Sequence, residues 1–148
     1  MRWLILIAGP NGAGKSTLTG AKEFQDRLRT FPGGPAKLFN PDEIAKVFFA
    51  SNPDATWTDA NLWAANQVPV NVLRCIDAME NVVVETVLSS QKYEPIIDHA
   101  RERGYRIGML YLVLGSPTVS MGRAWQSGLR QVVMMFLKTA SGPDGIAP

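Results

Sequence analysis

Residues 3–16 read WLILIAGPNGAGKS, an apolar run followed by a glycine-rich turn. The run Trp3–Ala8 is rich in β-forming residue types, which predicts a strand buried on both faces. The turn Gly9–Ser16 fits the pattern G-x-x-x-x-G-K-[ST]. Beyond it, apolar residues recur at helical spacing and predict a single helix: Leu18, Ala21, Phe24 and Leu28. A strand, a glycine-rich turn and a helix in this order predict a phosphate-binding loop.

Each residue type in this turn has a chemical reason. Glycines let the backbone curl until several N–H groups point at one phosphate, and the helix start adds partial positive charge. Lys15 can reach the β- and γ-phosphates, and the Ser16 hydroxyl can bind Mg²⁺. The loop therefore predicts a bound nucleoside triphosphate with Mg²⁺. The predicted nucleotide-binding residues are Gly9, Pro10, Asn11, Gly12, Ala13, Gly14, Lys15, Ser16 and Thr17. The competing interpretation is a glycine-rich turn that only begins a helix.

Further along the chain, apolar runs alternate with helical patterns. Strands are predicted at 37–39, 82–85 and 107–114. Helices are predicted to start after Asn40, to run from Thr58 to about Glu80 with a kink at Pro69, and to end before Gly104. Together with the phosphate-binding loop, this alternation predicts an α/β fold of the P-loop NTPase type, a parallel sheet flanked by helices, in one domain over residues 1–124.

Composition excludes several classes of function. A net charge of +2 over 148 residues gives no basic surface for nucleic acid. No apolar run is long enough to span a membrane and the N-terminus has no leader-like pattern, so a cytoplasmic protein without a membrane or nucleic-acid partner is expected. Cys75 is the only cysteine, which excludes a disulfide framework and predicts a small buried residue.

Acidic residues follow the predicted strands. The strand ending at Leu114 is followed by Gly115-Ser116-Pro117, so no acid for a metal stands there. Asp42 follows the second strand, where it could take a proton from an attacking hydroxyl or only favour a helix dipole. Glu85 and Thr86 end the third strand, where they could hold a polar substrate or face solvent. The signatures of transport ATPases and GTPases are missing, which leaves the small kinases.

Four blocks in order, AGPNGAGKSTL, NPDEIA, ETVLSS and YLVLGSP, resemble the zeta toxin family of kinases across residues 3–123. The resemblance implies that ATP phosphorylates a hydroxyl of UDP-N-acetylglucosamine, and that a small helical antitoxin is a candidate protein partner. It implies Asp42 as the general base, Glu85 and Thr86 as substrate-binding residues, and Arg123 as part of the segment that closes over ATP. Val87 stands where the family usually has a second threonine.

Residues 125–148 lack the regular strand, turn and helix-cap patterns that the preceding sequence shows. The family's second clamp arginine and its G-G-H stretch are absent. Read one nucleotide earlier, the codons after Arg123 permit the string R-V-A-E-R-V-x-x-G-G-H-D-V-P-E-D-x-I-R, which resembles the family's lid. The prediction is an out-of-frame tail with no consistent fold, or at most one helix at Val132–Lys138; the alternative is a divergent native C-terminus.

The predicted function is ATP-dependent phosphorylation of a small molecule, with a nucleotide sugar as the leading acceptor. The catalytic residues are Lys15, Asp42 and Arg123, the metal is held at Ser16, and the substrate lies against Glu85 and Thr86. Two alternatives stay open. One is another phosphotransferase, acting on an antibiotic or a nucleoside, and the other is an ATP-binding remnant without turnover.

Overall fold

The structure, a computed structural model, describes residues 1–87, 91–114 and 130–137. Strands and helices alternate as the sequence predicts. The strands are β1 (Trp3–Ala8), β2 (Ala36–Phe39), β3 (Asn81–Thr86), β4 (Arg106–Leu114) and β5 (Arg130–Leu137). The helices are α1 (Lys15–Gly20), α2 (Lys22–Arg29), α3 (Pro41–Ser51), α4 (Trp57–Asp77) and α5 (Glu94–Glu102), with a short 3₁₀ helix (Gln91–Tyr93) before α5.

The described strands form one sheet in the order β2-β3-β1-β4-β5, and the first four are parallel. This confirms the α/β prediction. β1 lies between β3 and β4, and all six residues of β3 are buried. In the register, Ile7 of β1 pairs with Glu85 and Ala8 with Thr86. The carboxyl ends of β1, β2 and β3 therefore meet at one edge of the sheet, where ligands bind in folds of this kind.

The prediction of a helix at Val132–Lys138 is wrong for the described part of the tail. Residues 130–137 form β5, which pairs antiparallel with β4 in a register that sets Leu110 beside Met134. The run QVVMMFL carries β-branched and aromatic residues. It lies along the outer edge of β4, whose backbone N–H and C=O groups would otherwise lack sheet partners. Pairing at this edge satisfies those groups, and a helix would leave them unpaired. The other tail residues, including Lys138, lie outside the described ones.

The helix predicted after the phosphate-binding loop is two helices. Ala21 adopts an extended conformation between α1 and α2. The interruption frees the carbonyl of Thr19, which accepts a hydrogen bond from the Gln25 side chain at 2.6 Å. Leu28 is buried against the sheet with Leu18 and Phe24 packed around it. The predicted apolar face is therefore kept even though the helix is broken.

Helices α3 and α4 pack against each other beside the edge of the sheet. α4 begins with a capping box, in which Asp59 N–H donates to Thr56 Oγ1 and Thr56 N–H donates to Asp59 Oδ2. The backbone hydrogen bond from Thr56 holds the pKa of Asp59 below its usual value. Pro69 lies inside α4, as the sequence predicts. In the described part of the chain, no helix is both long and apolar enough to cross a membrane.

Apolar side chains cover both faces of the sheet. The larger core cluster joins β1, β3 and β4 to α4 and α5, and the smaller one lies under α1 and α2. Cys75 belongs to the larger cluster and is 6% exposed, which confirms the prediction of a small buried residue. Burial raises the pKa of its thiol to about 11. An ionised, reactive thiol is therefore disfavoured at neutral pH.

Candidate phosphate-binding and acceptor site

The phosphate-binding loop connects β1 to α1. Gly9 has a φ of 146°, and a Cβ there would lie 2.5 Å from the carbonyl oxygen of Leu112 in β4. Gly14 precedes α1 with a φ of 92°, in the left-handed region that favours glycine. Between them, Ala13 N–H donates to the carbonyl of Pro10 at 3.1 Å. The predicted strand–turn–helix geometry of the loop is thus confirmed.

Lys15 is curled back over the loop that precedes it. Its Nζ donates to the carbonyls of Gly9 at 2.8 Å and Pro10 at 3.0 Å. These bonds hold the ammonium beside the loop, where a bound phosphate could replace the two carbonyls as a stronger, charged acceptor. Lys15 is therefore placed to bind an anion without a change in the backbone.

Glu85 does not face solvent, contrary to one of the sequence interpretations. It is 3% exposed and turns under α1. Its Oε2 accepts from Ser16 Oγ at 3.1 Å, and its Oε1 accepts from the hydroxyl of Thr19. The end of β3, the neighbour of β1, thus places a buried carboxylate beside the phosphate-binding loop. A buried carboxylate beside the loop serine is an oxygen donor set of the kind that Mg²⁺ prefers.

Asn40 connects the start of α3 to this carboxylate. As predicted for an N-cap, its Oδ1 accepts from the backbone N–H groups of Asp42 at 2.9 Å and Glu43 at 3.3 Å. Its Nδ2 donates to Glu85 Oε1 at 3.1 Å and to Ser16 Oγ at 3.3 Å. The sequence predicts the helix start after Asn40 but not the contact of Asn40 with Glu85. The available signal was an asparagine at the end of a strand in this type of sheet.

A cleft of about 410 Å³ opens beside the loop. It brings together five predicted site residues: Asn11, Lys15, Asp42, Glu85 and Thr86. Asp42 is exposed on the first turn of α3. Arg123 lies outside the described residues. The other predicted loop residues do not line this cleft, and Ser16 lines a second cavity.

The far wall of the cleft comes from α4 and the 3₁₀ helix. It includes Asn61 and Ala65 of α4, together with Lys92 and Tyr93. Burial raises the pKa of Tyr93, and a hydrogen bond with Thr86 opposes part of that rise. Neither Asn61 nor Lys92 was singled out from the sequence. They lie far from the loop along the chain, and only the crossover through α4 brings them to it.

The described residues contain no cluster of three or more histidine, cysteine or acidic residues that could hold a metal ion. A metal at this site would need ligands from elsewhere, and Mg²⁺ in phosphoryl transfer sites takes most of its ligands from phosphates and water. Ser16 and Glu85 fit such a partly coordinated ion, since both supply oxygen atoms beside the loop.

A larger cavity, about 760 Å³, lies on the other side of Asn40 and Ser16, between α3 and the junction of α1 and α2. Its wall is mainly apolar and includes the stacked rings of Phe48 and Trp63. Neither Lys15 nor Asp42 lines it. The groups suited to phosphoryl transfer are in the smaller cleft.

Comparison with known proteins gives a family and a fold. The profile of the family described as "Zeta toxin" matches residues 2–139. No curated protein matches the chain. Among solved structures, a "putative kinase" from Chloroflexus aurantiacus J-10-fl matches 74% of the chain at 16% identity with a TM-score of 0.57. A chain of the Pnkp1/Rnl/Hen1 RNA repair complex matches 86% of it at 16% identity with a TM-score of 0.53. The match covers 57% and 37%, respectively, of these two solved chains.

Proposed function

The chain belongs to the zeta toxin family, and we propose that it is a kinase that transfers the γ-phosphoryl group of ATP to a hydroxyl of a nucleotide sugar, UDP-N-acetylglucosamine. The observation that carries the proposal is the meeting of Lys15, Asp42 and Glu85 in one cleft at the carboxyl ends of three parallel strands. Phosphoryl transfer needs an anion site, a metal carboxylate and a base within one substrate length of each other.

The loop forms the ATP end of the site. Its backbone N–H groups surround the phosphates, and Lys15 leaves the carbonyls of Gly9 and Pro10 to bind the β- and γ-phosphates. Ser16 and Glu85 would hold Mg²⁺. The ion, when bound, neutralises negative charge on the phosphates. Glu85, assigned to the substrate from the sequence, is better suited to this role because its carboxylate contacts the loop helix.

Asp42 forms the acceptor end of the site. Its exposed carboxylate lies on the cleft wall, within reach of a hydroxyl directed at the γ-phosphate. It accepts the hydroxyl proton as the new P–O bond forms. The Asn40 cap fixes the first turn of α3 and with it the position of Asp42. Thr86, beside Glu85, is the proposed contact to the sugar.

Three further assignments rest on the family resemblance. Arg123 is proposed to contact the transferred phosphate from the segment that closes over ATP. A small helical antitoxin is proposed as a protein partner. Residues 125–148 are proposed to be an out-of-frame tail, which would weaken closure over ATP because the second clamp arginine is missing.

The test is a product assay with several acceptors. The purified chain is incubated with ATP, Mg²⁺ and UDP-N-acetylglucosamine, a nucleoside or an aminoglycoside in separate reactions, and products are identified by mass spectrometry. The proposal expects one added phosphoryl group on the nucleotide sugar. Phosphorylation of only a nucleoside or aminoglycoside would support the alternative phosphotransferase. ATP binding without any product would identify a remnant.

A further inference from the structure

Pro69 leaves one carbonyl of α4 without its helical partner. In a continuous helix the N–H of residue 69 would donate to the carbonyl of residue 65, and proline has no N–H. The vacant acceptor is the carbonyl of Ala65, and the ammonium of Lys92 donates to it. Lys92 lies in the 3₁₀ helix before α5, far from Ala65 along the chain. A lysine thus occupies the position that the missing backbone N–H would have filled.

The contact between Lys92 and Ala65 lies on the wall of the cleft that Lys15 and Asp42 also line. Ala65 and Lys92 both line it. An ammonium group has three donors, so one bond to a carbonyl leaves two available. Lys92 is exposed to solvent in the cleft, and its anchor limits the directions that its charge can take. The arrangement holds a cation in place before any ligand arrives, which lowers the entropic cost of binding.

We propose that Lys92, positioned by the free carbonyl that Pro69 creates, binds a phosphate or diphosphate group of the acceptor and so selects for anionic acceptors. This inference rests on the proposed kinase function and adds a residue that determines specificity. Among the described residues of the cleft wall, Lys15 and Lys92 are the cations. Lys15 belongs to the loop and binds the phosphates of ATP, which leaves Lys92 for the second substrate.

The other charged side chains of the cleft explain why Lys92 would determine which acceptors bind. Asp42 is an exposed carboxylate of the cleft and repels a second anion unless a cation compensates, whereas the proposed Mg²⁺ would balance the charge of Glu85. A neutral nucleoside gains nothing from Lys92, and a cationic aminoglycoside is repelled by it. A nucleoside diphosphate sugar carries the matching charge. The geometry therefore favours the nucleotide-sugar acceptor over both alternative classes.

The test compares two acceptors that share a sugar. UDP-N-acetylglucosamine carries a diphosphate, and N-acetylglucosamine is neutral. In Lys92→Met, KM for the nucleotide sugar should rise roughly ten- to hundred-fold, the range for one or two charge-assisted hydrogen bonds. KM for the neutral sugar and for ATP should not change. Lys92→Arg should restore much of the affinity. Lys22→Met, which removes a surface lysine paired with Asp26, is the matched control.

A second variant tests the positioning by Pro69. Pro69→Ala introduces a backbone N–H at residue 69 that can donate to the carbonyl of Ala65. This N–H then competes with Lys92 for the same carbonyl. We expect a higher Tm together with a smaller rise in KM for the nucleotide sugar, roughly two- to five-fold, because the charge stays but loses its anchor. A higher Tm with unchanged KM would overturn the positioning role.

Binding measurements separate failure of this inference from failure of the proposed function. Calorimetry with UDP-N-acetylglucosamine and with inorganic pyrophosphate needs no turnover. If the unaltered chain transfers no phosphoryl group but binds both probes more tightly than Lys92→Met does, the acceptor site stands and the kinase proposal fails. If the two proteins bind the probes equally, or neither binds them, the Lys92 inference is wrong whatever the kinase activity.

Discussion

The side-chain nitrogen of Asn40 donates a hydrogen bond to Oε1 of Glu85 across 3.1 Å. The other end of the same amide caps α3, the helix that carries Asp42. One side chain therefore connects the proposed base to the proposed metal carboxylate. Such a link holds the backbone of Asp42 at a fixed place relative to Glu85, since an amide held at both ends has little freedom to rotate.

Lys15→Ala should abolish phosphoryl transfer and greatly weaken ATP binding, because Lys15 is the side-chain cation of the loop. ATP affinity is measured by calorimetry and transfer by the product assay. Lys22→Ala, an exposed lysine on α2, serves as the control for loss of one positive charge. An ATP affinity unchanged by Lys15→Ala would remove the phosphate-binding interpretation of the loop.

Asp42→Asn should lower kcat by about 10²–10⁴, the usual range for general-base catalysis, with little effect on ATP affinity. Glu43→Gln is the matched control. Glu43 stands next to Asp42 in the first turn of α3 but forms a surface ion pair with Lys46. If both substitutions lower Tm equally and neither affects kcat selectively, Asp42 only favours the helix start.

Glu85→Gln should increase the Mg²⁺ concentration needed for half-maximal activity by roughly ten-fold or more, because the carboxylate beside Ser16 is replaced by a neutral amide. Stability should fall less than activity, since the amide keeps an oxygen that can accept a hydrogen bond from Ser16 or Asn40. The measurement is a Mg²⁺ titration of the initial rate at saturating ATP. An unchanged titration midpoint with normal activity would exclude Glu85 from the metal site.

Cys75 should react slowly with thiol reagents in the folded protein. Burial raises its pKa to about 11, so the thiolate is scarce at pH 8, and the side chain is 6% exposed. Because this folded pKa exceeds the unfolded value, the contribution of Cys75 to stability is complete below about pH 9 and declines as the pH rises towards 11. Fast labelling is expected only in denaturant. As the single cysteine, Cys75 gives an unambiguous signal. Rapid labelling of the folded protein at pH 8 would contradict its burial.

The tail yields a genetic prediction. Inserting one nucleotide near codon 123 should restore the lid string and raise activity by roughly 10³ or more, the contribution of transition-state arginines in related reactions. DNA sequencing across codons 118–148 tests whether the reading frame changes near codon 123, and the product assay measures the activity of the frame-corrected protein. Deleting residues 128–148 should change ATP binding little, even though it removes β5 from the edge of β4. Loss of the fold on deletion, or no gain in the corrected frame, would support a native C-terminus.

Local signals in the sequence determined much of the fold. The apolar run of β1, the glycines of the loop and the Asn40-Pro41 helix start each act through neighbouring residues, so their structures follow from short-range sterics and hydrogen bonding. The alternation of strands and helices then predicts a parallel sheet, because crossover connections have a fixed hand. From this arrangement the sequence also predicts that Lys15 and Asp42 meet at one edge.

Only the tertiary structure decided where Glu85 points and what Lys92 contacts. β3 is buried on both faces, so its sequence has no alternation that would assign Glu85 to one side. Its partners Ser16, Thr19 and Asn40 are 45 to 69 residues away, brought together by packing of α1 and β2 around it. The sequence alone shows that Pro69 leaves a carbonyl of α4 without its helical donor. The group that donates to this carbonyl is the side chain of Lys92, which belongs to the 3₁₀ helix. Edge pairing likewise made β5 a strand, since the free backbone groups of β4 exist only once the sheet has formed.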